Sequence, residues 1–169
     1  MHSRIFQISS KPIDRDDYIT DDRYYNSFVG YIADYVSTVS DSDIKDELKW
    51  LKSALGNSAK FSDDLRSFVI IDKQEYFKYS YDRFIELLDK LRNTTFKEFC
   101  DESVFYSDGY GNTSLDLLFE HLKCAYDDKF SFYFDDNDEY SGLMTINGFM
   151  RKCSDGDMFY TGAVIDYHF

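Results

Sequence analysis

The chain has 169 residues, is 43% hydrophobic and 19% aromatic, and carries a net charge of −13 at neutral pH. That much apolar and aromatic side chain offsets the entropy of ordering, so the composition excludes a disordered chain, and the length suits a single domain. The negative charge argues against direct binding to nucleic acid phosphates or to anionic lipid, since both are recognised through Lys and Arg.

Residues 3–9 read as a first strand, and Pro12 marks the loop that leaves it. Tyr25, Phe28, Ile32, Tyr35 and Val39 then recur three and four apart, which predicts an amphipathic helix over 22–38. A second helix follows from the stripe Ile44, Leu48, Leu51 and Leu55, with Asp41 and Ser42 as N-cap candidates and Gly56-Asn57 as its end. Phe68-Val69-Ile70-Ile71 does not alternate, so 67–72 is expected to be a central strand covered on both faces. Phe77, Tyr81, Phe84, Leu88 and Leu91 give the apolar stripe of a long helix over 74–92. Thr95-Phe96-Lys97-Glu98 has the form of a capping box ahead of a short helix over 96–102. A loop over 107–112 leads to a further helix over 114–126, built on Leu115, Leu118, Leu122 and Tyr126. Beyond residue 128 the period becomes two, and three closing strands are expected near 130–135, 142–152 and 158–168. Helices that lead and strands that follow are the pattern of an α+β fold. The expectation is a single domain over 1–169, its N-terminal helices packed on a mainly antiparallel sheet completed by a C-terminal β-meander.

Acid is unevenly spread along this pattern. Residues 1–97 hold 15 basic and 17 acidic side chains, whereas 98–169 hold 4 basic and 15 acidic, a net of −11. The first part reads as a near-neutral, helix-rich scaffold and the second as a strongly acidic helix plus meander. Half of the 32 aromatic residues also fall in 98–169.

Candidate chemistry is sparse. His121 and Cys124 have helical spacing for two metal ligands, but no Cys-x-x-Cys or second His motif completes a zinc site, so no metal is expected. Asp166 and His168 share one face of a predicted strand and have the form of an acid–base pair, without an identifiable nucleophile. The Gly109-Tyr110-Gly111 loop lacks the Gly-Lys-Ser/Thr ending of a phosphate-binding loop, and no cofactor is expected. Counting a calcium loop from Asp135 places Tyr140 and Ile146 where Gly and Glu belong. Three cysteines without close spacing read as reduced thiols and, with no apolar leader or spanning segment, predict a cytoplasmic location.

Acid interleaved with aromatic residues points to recognition. The partner-binding face is expected to comprise Asp101, Glu102, Asp108, Tyr110, Asp127, Asp128, Asp135, Asp136, Asp138, Glu139, Tyr140, Asp155 and Asp157. The expected function is a non-enzymatic acidic protein-binding module that docks on a basic partner. It would act as a nucleic-acid mimic that inhibits a nuclease or other DNA- or RNA-binding protein, or as an immunity or antitoxin-like protein. The alternatives are a small cytosolic enzyme whose site is assembled from scattered residues, a homo-oligomer that buries its exposed aromatics, and an acidic surface that serves solubility alone.

Overall fold

The computed structural model describes residues 1–101, 106–107, 112–136 and 142–169. In chain order the elements are β1 (His2–Ser9), β2 (Tyr35–Thr38), α1 (Ile44–Leu55), β3 (Ala59–Phe61), β4 (Ser67–Ile70), α2 (Lys73–Arg92), α3 (Phe96–Asp101), β5 (Tyr106–Ser107), β6 (Asn112–Thr113), α4 (Leu115–Tyr126), β7 (Tyr133–Asp136), β8 (Leu143–Thr145), α5 (Ile146–Lys152) and β9 (Met158–His168). They group into two compact units, Met1–Tyr76 with Lys129–Phe169, and Phe77–Asp128.

The first unit is built on a seven-stranded sheet of order β3-β4-β9-β1-β7-β8, with β2 also paired to β9. Every pairing is antiparallel except β1 with β7. The fold is therefore α+β, with a mostly antiparallel sheet that C-terminal strands complete, as the sequence pattern predicts. Their connectivity is not that of a meander. β7 and β8 form a hairpin, but β9 crosses to the middle of the sheet, between β1 on one side and β4 and β2 on the other.

The strands covered on both faces are β1 and β9, not β4. Ile5, Phe6, Gln7 and Ile8 are successive and all fully buried, whereas along β4 Phe68 and Ile70 are buried and Ser67 and Val69 half-buried. Ile5 stands opposite Ile165 and Tyr133, and this face packs against Tyr24, Phe28, Ala33 and Val36. On the other face Phe6 stands opposite Val164 and Phe134. Here Phe134 packs against Phe149 at a ring separation of 4.5 Å, and Phe149 against Phe159 at 4.8 Å. The helix α1 buries Ile44, Leu48, Leu51 and Leu55, the stripe read from sequence, and ends at Gly56 with φ of 52°. Its N-cap position is Asp43, one residue beyond the expected pair.

Two predicted elements differ. The helix expected over 22–38 is a 3-10 turn at Asp21–Tyr24, a run of tight turns, and then β2. The carbonyl of Phe28 accepts from the backbone N–H groups of Tyr31, Ile32 and Ala33, and Gly30 at φ of 85° turns the chain out of any helical path. The segment buries Tyr24, Phe28, Ala33 and Val36 and leaves Tyr25 and Tyr35 exposed, so the apolar spacing belongs to a coiled cover over the sheet. The strand expected over 142–152 ends at Thr145, whose Oγ1 accepts from the Gly148 N–H at 3.0 Å and caps α5. Met144, Ile146 and Met150 fit a period of two, but Ile146, Phe149 and Met150 fit a helix equally well.

In the second unit, Thr95 and Glu98 form the predicted capping box. The Glu98 carboxylate accepts from the Thr95 N–H at 2.7 Å and Thr95 Oγ1 from the Glu98 N–H at 3.3 Å. Ser114 caps α4 by accepting from the Leu117 N–H at 3.2 Å. The apolar stripe of α2 differs from the expected one: Leu87 is its buried residue, while Tyr81 and Leu88 are 62% and 42% exposed.

One side chain joins the layers of the first unit. Gln7 is fully buried, its Oε1 accepts from the N–H groups of Ala163 (2.9 Å) and Ile19 (3.2 Å), and its Nε2 donates to the Asp17 carbonyl (2.8 Å). Room for this amide depends on Gly162, since a Cβ there would lie 2.5 Å from Gln7 Oε1 and 3.2 Å from Ile13. Gly162→Ala should therefore cost about 2–4 kcal/mol, from overpacking and from buried polar groups left without partners. Denaturant unfolding checks this, and a loss below about 0.5 kcal/mol would show that the amide swings aside freely.

Candidate functional site

The carboxylates singled out by sequence occupy unlike environments. Asp135 lies on β7 opposite Gln7 and is only 1% exposed. Its Oδ2 accepts from the Tyr24 hydroxyl at 2.7 Å and from Arg23 Nε at 2.9 Å, and its Oδ1 accepts from a second Arg23 nitrogen at 3.0 Å. This is a bidentate, charge-assisted pair, so the Asp135 charge is neutralised inside the unit and is not offered to a partner. Burial, and then the Asp135 charge, push the Tyr24 hydroxyl far above the ordinary tyrosine range. Asp136 is half-buried, Asp155 accepts from the Lys73 N–H at 2.8 Å and ties down the start of α2, and Asp157 accepts from the Ser154 N–H at 2.7 Å within a turn. Asp127 and Asp128 are half-buried just past α4. Asp101 closes α3, and Glu102, Asp108, Tyr110, Asp138, Glu139 and Tyr140 lie outside the described residues.

Divided by unit, the charge is spread more evenly than it is along the sequence. The first unit holds 13 basic and 21 acidic residues, a net of −8 over 117 positions. The second holds 6 and 11, a net of −5 over 52 positions, which is the denser of the two. Several of its cations are engaged internally: Arg83 and Lys90 both reach Glu86, and Lys123 reaches Glu120 at 2.5 Å. Lys90 first, and then Arg83, hold the Glu86 carboxyl down at about 2. The small stabilisation this gives is present above the ordinary carboxylate range and lost as pH falls toward 2.

Apolar exposure concentrates in the same unit. Tyr81, Ile85 and Leu88 form an exposed stripe on α2, Phe96 and Phe99 on α3 are 84% and 65% exposed, and Phe119 on α4 is 47% exposed. Among the described residues of the unit only Leu87 and Leu118 are fully buried hydrophobics. A cleft of about 560 Å³ is lined by Phe99, Ser114, Leu115, Asp116 and Phe119. A neighbouring one of about 460 Å³ has walls of both signs, including Glu86, Asp89, Lys90 and Glu98. Sequence periodicity identifies these faces as apolar but does not show that nothing in the unit covers them.

At one end of the sheet a separate cluster gathers ionisable groups. Asp166 and His168 do not pair with each other. Asp166 accepts from Arg4 and lies 2.9 Å from His2 Nδ1, whereas His168 lies 3.3 Å from Asp34 and stacks on Tyr35 at a ring separation of 5.4 Å. Arg4 continues to Glu47 of α1 at 2.5 Å, so the cluster clamps β1 and β9 to that helix. The His2–Asp166 contact arises from the β1–β9 register, which places Arg4 opposite Asp166, and no local sequence signal reveals it.

The thiols differ sharply. Cys100 and Cys124 are exposed, while Cys153 is buried beside a cavity of about 280 Å³ shared with Met144, Phe149 and Phe159. Its Sγ donates to the Phe149 carbonyl at 3.3 Å, and burial, reinforced by Asp157, pushes the thiol up to about 12. Among the described residues Nδ1 of His121 is buried without a hydrogen-bond partner, and no group of three His, Cys, Asp or Glu converges to hold a metal. The neutral Cys153 thiol favours the folded state fully below the ordinary thiol range, and this preference is lost as pH rises toward 12. A disulfide reagent at mildly alkaline pH should modify Cys100 and Cys124 rapidly and Cys153 only on unfolding. Rapid reaction of all three in native protein, counted by mass, contradicts this placement.

Among the described residues no helix is long and apolar enough to cross a membrane. No protein-family model, curated protein or solved structure matches the chain.

Proposed function

We propose that the chain is a non-enzymatic protein-binding module that docks on a basic partner through its second unit. The observation that carries this reading is the coincidence, within Phe77–Asp128, of surplus carboxylates with exposed aromatic and aliphatic side chains. Charge that serves solubility alone comes with a polar surface, whereas contiguous apolar exposure rimmed by charge marks a contact surface. The two parts have different tasks. The carboxylates steer a Lys/Arg-rich surface into place and disfavour acidic partners, and the apolar side chains supply the area removed from water on contact.

Within this class, the exposed rings favour a partner that offers apolar contact beside its basic groups. A surface that imitated phosphates alone would need carboxylates and no exposed phenylalanine. A nuclease or other nucleic-acid-binding protein blocked at its basic groove fits the reading, as does a basic toxin held by an immunity or antitoxin-like protein.

Selection of displayed random peptides on the purified chain tests the class without knowledge of the partner. Enriched peptides should be net positive with interleaved apolar residues, and their binding should weaken by about tenfold or more between about 50 and about 300 mM salt. Enrichment of neutral or acidic sequences, or binding indifferent to salt, would count against a basic partner.

A further inference from the structure

We infer that the cleft lined by Phe99, Leu115, Asp116 and Phe119 is the anchor point of this docking, and that it takes a Lys or Arg side chain flanked by apolar residues on a basic amphipathic segment of the partner. The inference rests on the binding reading above and adds to it a place and a chemistry. Two rings and a leucine give the cleft apolar walls, and Asp116 gives it one carboxylate. A guanidinium or ammonium entering there comes beside two aromatic rings, whose faces attract cations, and beside a carboxylate. The aliphatic stem that carries the cation, and its apolar neighbours, meet Leu115 and the exposed parts of Phe99 and Phe119.

Electrostatics around the cleft agree with a cationic occupant. Among the described residues no Lys or Arg lines the cleft, and Lys123, further along α4, is held by Glu120 at 2.5 Å. The start of α4 carries the positive end of a helix dipole, about half a unit charge, but Ser114 takes up the Leu117 N–H there and Asp116 outweighs the remainder. A second copy of the chain is the less suitable occupant, because it would bring another unit of net −5 against the first. An amphipathic helix is the natural carrier, since one face supplies apolar anchors and its flanks supply Lys or Arg.

The test uses the full chain and a fluorescent Lys/Leu amphipathic helical peptide of about 18 residues, with its Lys→Glu counterpart as control. The basic peptide should bind at low salt and the acidic one should not. Phe119→Ala and Asp116→Lys should each weaken binding by about tenfold or more, while Asp63→Lys, at an exposed carboxylate of the first unit, should change it by less than about twofold. Circular dichroism confirms that each variant is folded, and both cleft positions are partly or fully exposed, so truncation there spares the core.

If Asp63→Lys weakens binding as much as Asp116→Lys and Phe119→Ala is silent, acid attracts the peptide generally: the binding reading stands and the cleft is overturned. If the basic peptide binds no better than the acidic one, the binding reading itself is overturned. If light scattering shows a concentration-dependent dimer that Phe119→Ala disperses, a second copy fills the cleft and the basic-segment inference is overturned.

Discussion

The amide of Gln7 is bonded to backbone groups from two separate stretches of chain, and it has a partner for each of its polar ends. β1 and β9 pair along most of their lengths, and the cover segment that contains Asp17 and Ile19 is tied to them through this one side chain. A buried amide without partners is costly, so the position of the segment and the register of β9 are mutually constrained. Gly162 belongs to the same constraint, because the space that a side chain would occupy there is filled by the amide. From that centre the sheet extends outward. β9 supports β4 and β2 along one edge, and β1 supports the β7–β8 hairpin along the other.

The same unit shows how position sets what an acidic residue contributes. Asp135 is adjacent to Asp136 in sequence, yet it is enclosed with Arg23 and Tyr24 and joins the cover segment to the sheet. Asp157 fixes a turn, and Asp155 holds the first N–H of α2. The Asp135 charge is matched by Arg23, whereas Asp155 accepts a backbone N–H and is otherwise exposed. Among its described residues the second unit has few buried hydrophobics, and its acid shares that stretch of chain with exposed rings. A count of carboxylates along the sequence does not separate these two situations.

Much of the architecture was legible where local periodicity and tertiary packing coincide. The Ile44, Leu48, Leu51 and Leu55 stripe, the Thr95–Glu98 box and the closing strand β9 are local patterns that the fold keeps. The failures share a physical origin. Tyr25, Phe28, Ile32 and Tyr35 have helical spacing, but a glycine in the left-handed region and the β-prone Tyr35–Thr38 run favour a turn and a strand. Met144, Ile146 and Met150 suit a strand and Ile146, Phe149 and Met150 a helix, and the hydroxyl of Thr145 decides for the helix. The candidate site was legible only as a region. Phe99 and Phe119 stand out through what does not cover them, and Asp135 drops out through a pairing with a residue 112 positions away. Neither relation exists in the local sequence.

The placement of β9 has a consequence for how the chain reaches its fold. The strand at the middle of the sheet is made after β1, β2, β3 and β4, and three of these need it as a neighbour. Before it emerges, β3 can pair with β4 and β7 with β1 and β8, but β2 has no partner strand and β1 and β4 each lack one neighbour. Assembly of the first unit is therefore governed by contacts distant in sequence, a condition that slows folding and leaves strand edges open to other chains. Phe77–Asp128 is synthesised within this interval and depends far more on local helices. The self-repulsion of an acidic chain then acts at a second stage, keeping nascent molecules apart while the β1 and β4 edges wait for their common neighbour.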